Sequence, residues 1–282
     1  MTLVRVTKVF NNNAVLGVDP VIGERVLLGT GIGFGVKPGD PVDPAKIGKT
    51  FVPTRGTPAE RIARLLTDLP PEDLDLTGEV LADVQDVLGA QAAEQVLLPL
   101  ADHLSFALRR MREGAPPIEY PLQWEVPTLY PAEVALARRA LGVIERRRGV
   151  RLPDEEAVPV ALHFVNAQLG TADMSQTVGL TRLLSEAVGV IDADLGTRID
   201  PRSADAARFV THLRYLIADL RADRGVREPA DDQMAAALRA ARPREWACAE
   251  RIAALVGARV GREVGGGEVA FLALHVDRLA AR

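Results

Sequence analysis

The sequence predicts an α+β multidomain protein, in which a small N-terminal antiparallel β-sheet domain precedes two homologous all-α helical-bundle domains. Three observations predict it: a change from short β-like runs to helical spacing after Pro53, ten helical segments set apart by prolines and glycines, and an internal repeat. A chain of 282 residues also exceeds the roughly 250 at which single hydrophobic cores stop growing, so more than one core is expected.

The β reading comes first in the chain. Apolar residues recur at Leu3–Val4, Val6 and Val9–Phe10, then along Ala14–Val18, then along Arg25–Leu28. The intervening Asn11-Asn12-Asn13 and Asp19-Pro20 are turn formers. Glycines at 29, 31, 33, 35 and 39 disfavour helix and permit tight backbone turns. A sheet this small buries little surface, so it is expected to gain stability by dimerising.

From Pro53 onward, apolar residues recur at helical spacing in a background of Ala, Leu, Arg and Glu. Helices are expected at 59–67, 72–88, 91–112, 131–149, 154–168, 173–196, 203–222, 231–241, 244–260 and 267–281, with stops at Pro70-Pro71, Pro116-Pro117, Pro121 and Pro201. Ten helices divide into two bundles of five. The division is supported by sliding 131–163 against 243–275, which gives 11 identities in 33 positions without a gap, among them Arg139/Arg251, Arg147/Arg259, Gly149/Gly261, Glu156/Glu268 and His163/His275. Upstream, Asp102-His103-Leu104-Ser105-Phe106 resembles Thr211-His212-Leu213-Arg214-Tyr215. The expected domains are 1–56, 57–170 and 171–282.

Composition narrows the function. Hydrophobic residues at 48% and charged residues at 26% fit an ordinary globular protein, and no apolar run reaches the roughly 18 to 20 residues of a membrane span. The N-terminus lacks the apolar core of a secretory signal, which points to the cytoplasm. A single cysteine, Cys248, excludes an internal disulfide framework and a cysteine-rich zinc site. Net charge is −4, yet residues 1–56 carry seven basic side chains against four acidic ones, and all four lysines lie before residue 50. A basic end on an acidic body suggests a polyanion-binding module joined to something else.

His103, His163, His212 and His275 are the protein's only histidines, and they fall at matching places in the two halves. A shared chemical role follows: metal ligand, general acid or base, or phosphoryl acceptor. No two of them stand three or four residues apart as ligands on one helix face do, so no metal and no other cofactor is expected. Catalysis lacks a nucleophile or a paired acid. Asp102 adjoins His103 but points about 100° away on a helix, and no Walker, HExxH or GxSxG pattern occurs. No catalytic residue is assigned, and an enzyme is the weaker reading. A phosphoryl acceptor needs an accessible neutral imidazole and nearby cations, which Arg208, Arg214 and Arg278 offer.

These motifs together resemble, from end to end, the BglG/LicT/SacY family of bacterial transcriptional antiterminators. Lys8-Val9-Phe10-Asn11-Asn12-Asn13-Ala14-Val15, then Gly29-Thr30-Gly31-Ile32-Gly33-Phe34 with Gly39-Asp40, are similar to its co-antiterminator RNA-binding domain. The helical halves are similar to its two sugar-phosphotransferase system (PTS) regulation domains. The carrying motifs there are Asp102–Phe106, Ala161–Ala167, Arg208–Leu213 and Ala273–Arg278, with Leu122–Glu125 and Glu155–Ala157. The resemblance implies a homodimer whose β domains grip a hairpin in an mRNA leader, so that an overlapping terminator does not form. It also implies phosphorylation of all four histidines. The phosphocarrier HPr would act on His212 and His275 to activate, and the sugar-specific PTS permease on His103 and His163 to inhibit. RNA contacts are expected from Lys8, Asn11, Asn13, Gly29, Thr30 and Phe34, since amides read unpaired bases and an aromatic ring stacks on them. Thr30 stands where the family usually has arginine, and Gly35 where several members have glutamine. An alternative is therefore a PTS-regulated protein whose diverged N-terminal module binds DNA or another protein.

Overall fold

The computed structural model describes residues 4–21, 23–52, 59–170, 173–196, 198–222 and 232–280. Leu3 and the domain boundaries expected near 56 and 170 adjoin or fall on residues outside that set. Four strands, β1 (Arg5–Asn11), β2 (Ala14–Asp19), β3 (Gly23–Leu28) and β4 (Lys49–Phe51), form one antiparallel sheet in sequence order. The register pairs Val15 with Leu27 and Leu16 with Val26, which sends these two pairs to opposite faces. On one face Val6, Val15 and Leu27 pack with Ile32 and Val42 of the long β3–β4 connection. On the other, Leu16 and Val26 pack with Ala59, Ile62 and Leu66 of the first helix. Both faces of this small sheet are thus covered by its own chain.

Eleven helices follow among the described residues: α1 (Ala59–Asp68), α2 (Pro71–Leu88), α3 (Ala90–Arg112), α4 (Glu125–Leu129), α5 (Pro131–Arg148), α6 (Ala157–Gln168), α7 (Met174–Leu195), α8 (Ala204–Arg221), α9 (Asp232–Ala241), α10 (Pro243–Val260) and α11 (Gly266–Ala280). Proline at the first position starts α2 and α10, where its missing N–H costs nothing. Ser203 caps α8 by accepting a hydrogen bond from Ala206 N at 3.1 Å. Strand β4 and helix α4 are absent from the sequence reading. At three and five residues, neither is long enough to show a period.

The described residues group into two compact units, Met1–Ile118 with Leu136–Met174, and Glu119–Ala135 with Ser175–Arg282. Repeat identities recur in matched places. Gly149 and Gly261 follow α5 and α10 with φ of 65° and 75°, the left-handed turn that ends a helix and suits glycine. In the first unit Arg139 on α5 bonds Asp83 of α2 at 2.7 Å, and Arg147 pairs with Glu79 at 2.7 Å. In the second, Arg251 on α10 pairs with Asp194 of α7, and Arg259 with Glu186 at 2.8 Å. Cys248 lies in the core of the second unit, where burial above all, with Asp194 beside it, pushes its thiol up to about 12.

Candidate functional site

In the first unit, the packing of α3 against α6 brings His103 and His163 together, with ring centroids 5.5 Å apart and planes tilted by 46°. A third residue completes the group. Glu156, in the 3-10 turn leading into α6, lies seven residues before His163 and so two turns away on the same face. It is only 3% exposed. His103 Nε2 donates to its Oε2 at 2.9 Å, and Arg110 Nη1 stands 3.7 Å from its other oxygen. Burial, reinforced by the neighbouring His103, lowers His163 to about 3, so that ring is neutral at physiological pH. Its Nδ1 is enclosed and has no hydrogen-bond partner among the described residues.

The second unit repeats the plan on α8 and α11. His212 and His275 stack at 4.8 Å with planes 28° apart. Glu268, 6% exposed in the first turn of α11, lies seven residues before His275, with its Oε2 3.5 Å from His212 Nε2. Burial, then Arg278 and Arg208, hold His275 below its usual range, while Asp205 opposes them. Arg208 itself pairs with Asp205 at 3.0 Å.

The sequence analysis missed Glu156 and Glu268. Their identity in the repeat was the available signal, since they share a helix face with the second histidine of each half. Asp102 is exposed; the carboxylate on His103 comes from 53 residues away. Arg214 is corrected: its guanidinium lies 5.6 Å from the Tyr130 ring centre and 3.9 Å from Glu133, not at the histidine pair. Two residues beyond His212 on a helix is about 200° around the axis. Among the described residues, no group of three potential ligands is placed to hold a metal, and no helix is long and apolar enough to cross a membrane.

At the basic end, the β1–β2 turn and the glycine loop after β3 are tied into one surface. Asn13 O accepts from Gly29 N at 3.0 Å, Asn13 Oδ1 from Gly31 N at 2.9 Å, and Asn12 O from Gly33 N at 3.0 Å. Asn11 Oδ1 accepts from Asn13 N at 2.8 Å. The side-chain oxygens of both asparagines therefore serve the scaffold that joins the turn to the loop. Gly29 permits a close approach, since a Cβ there would lie 1.6 Å from Lys46 O. Thr30 is exposed at the loop tip, Phe34 projects with 72% of its surface exposed, and Lys8 stands 5.4 Å from the Phe10 ring centre.

Residues 4–58 match the CAT RNA binding domain, and residues 78–167 match the PRD domain. The chain is 32% identical over 275 residues to the beta-glucoside operon antiterminator of Dickeya chrysanthemi, covering 98% of this chain and 96% of that one. It belongs to the BglG/LicT family of transcription antiterminators. Transcription antiterminator LicT of Bacillus subtilis (strain 168) is 29% identical over 98% of both chains, and transcription antiterminator LacT of Lacticaseibacillus casei is 27% identical over 98% of this chain and 94% of its own. A solved structure, the crystal structure of GlcT CAT-PRDI, is 28% identical, covers 58% of this chain and 97% of that one, and superposes with a TM-score of 0.44. Within this BglG/LicT antiterminator, the asparagine–glycine surface lies in the RNA-binding domain, and His103, Glu156 and His163 lie in the stretch matched to the PRD domain.

Proposed function

We propose that the protein works in the cytoplasm as a homodimer that binds a hairpin in an mRNA leader through residues 1–56. Its two regulation domains, 57–170 and 171–282, then set dimerisation through histidine phosphorylation in response to sugar supply. The observation that carries this reading is the twofold occurrence of two imidazoles and one buried carboxylate, in a chain with no other histidine. A phosphoryl group adds roughly −1.5 to −2 charges at neutral pH. Placed beside buried Glu156 or Glu268, such a charge forces the pair to recruit cations or to repack, which turns a local modification into a change of domain surface. HPr would phosphorylate His212 and His275, whose neighbours Arg208 and Arg278 favour an added anion, and the sugar permease would control His103 and His163. RNA contacts come from Lys8, Asn11, Asn13, Gly29, Thr30 and Phe34, with the exposed Phe34 ring as the stacking surface.

The test is a gel shift on the protein's own leader RNA with wild type and the His212→Asp, His275→Asp variant. Tighter binding by the variant is expected. A well-folded dimer that binds no leader transcript would overturn the RNA reading. Incubation with HPr, the PTS phosphotransferase and labelled phosphoenolpyruvate, mapped histidine by histidine, tests the switch separately.

A further inference from the structure

Each histidine pair contains a carboxylate to which the switch described above gives no part in the chemistry. A carboxylate only accepts hydrogen bonds, so the 2.9 Å contact from His103 Nε2 to Glu156 fixes the proton on Nε2 and leaves the lone pair on Nδ1. The same group then matters during transfer. Nδ1 attacks phosphorus as the bond from phosphorus to the donor's nitrogen breaks, and that nitrogen leaves with the electron pair and takes up a proton from solvent. The accepting ring keeps its Nε2–H and becomes positively charged. An anion already seated on that N–H stabilises this charge without any reorganisation, as an acid does for the imidazolium of a catalytic triad. Arg110, 3.7 Å from the outer oxygen of Glu156, offsets the repulsion between the carboxylate and the incoming phosphoryl group. Glu268 Oε2 lies 3.5 Å from His212 Nε2, a contact of charge and not a hydrogen bond.

We propose that Glu156 and Glu268 are positioning residues for phosphoryl acceptance: Glu156 holds His103 with Nε2 protonated through its hydrogen bond, Glu268 biases His212 the same way by its charge alone, and each directs phosphate to Nδ1 and supports the charge that develops on the ring. The proposal rests on the histidine-phosphorylation reading, and it is tested with a donor that needs no docking protein. Phosphoramidate transfers its phosphoryl group to imidazole with release of ammonia. The full-length protein, labelled with 15N-histidine, is treated with it, and both the rate at each histidine and the ring nitrogen that carries phosphate are read by mass spectrometry and NMR. Wild type is expected to label His103 and His212 at Nδ1. Glu156→Gln, of equal size and without the charge, should slow His103 by about tenfold or more and let the Nε2 isomer appear, with His212 unchanged. Glu268→Gln should do the reverse, with the smaller effect expected of the longer contact.

Equal rates and an unchanged isomer in both variants overturn the proposal. So does wild-type phosphate on Nε2, or no label on His103 and His212. Loss at both histidines in either variant marks a merely structural role and overturns it as well. If phosphoramidate behaves as expected but HPr labels nothing, the regulatory reading fails and the assignment of the carboxylates stands.

Discussion

The two histidine pairs share a plan and differ in their electrostatics. In the first, a hydrogen-bonded carboxylate is backed by Arg110, and burial keeps the second imidazole neutral. In the second, the carboxylate is 3.5 Å from its ring, the imidazoles stack, and the nearby cations, Arg208 and Arg278, act on His275. Duplication kept the imidazoles and the glutamate and changed where the positive charge sits. In the first pair it faces the carboxylate, and in the second it sits beside His275. Two sites of one plan thus meet an added negative charge with different surroundings.

The largest expected break in the comparison comes from deleting the carboxylates. Glu156→Ala leaves Arg110 and the His103 N–H without their buried acceptor and should cost on the order of 3 kcal/mol, whereas Glu268→Ala, with its longer contact, should cost about 1 kcal/mol. Urea unfolding of the two variants measures the difference, and equal losses would mean that the hydrogen bond adds nothing to the first pair.

A second test uses pH. His163 falls from an ordinary 6.5 to about 3 on folding, so below pH 6.5 the unfolded state binds a proton that the folded state refuses. Its contribution is fully present above that pH and is lost as pH falls toward 3, at up to about 1.4 kcal/mol per pH unit. Replacement His163→Gln should flatten the stability profile between pH 6.5 and 5. His275→Gln should act with the same sign, since burial lowers that ring too. An unchanged slope in His163→Gln would show that His163 is hydrated in solution.

The smallest effect lies away from the histidines. Arg147→Ala and Arg259→Ala remove matched, half-exposed ion pairs and should each cost about 0.5 kcal/mol or less, by equal amounts. A clear inequality in thermal melts would show that the halves differ beyond their histidine pairs.

Much of this was legible in order along the chain, because helices are local. The spacing of apolar residues and the placement of Pro71, Pro131 and Pro243 brought most expected helix ends within a residue or two of those observed. Strand β4 was hidden because it pairs with β3 across a connection of twenty residues and carries no alternation of its own. The four histidines stood out by number and by repeat. Glu156 and Glu268 stood in the same repeat, yet one glutamate among many acidic residues shows no sign of its role until a second helix presents an imidazole to it. Arg214 failed in the opposite way, since nearness in sequence suggested a contact that helical geometry turns aside.

By itself, the sequence determined the element types, the duplication, the family and the identity of the four imidazoles, because each follows from local spacing or from similarity along one line. The tertiary structure decided which rings face each other, which carboxylate each first histidine meets and which cation answers it. Those are contacts between residues 46 to 63 positions apart, and their geometry is set by how helices pack and not by the order of residues within any one of them.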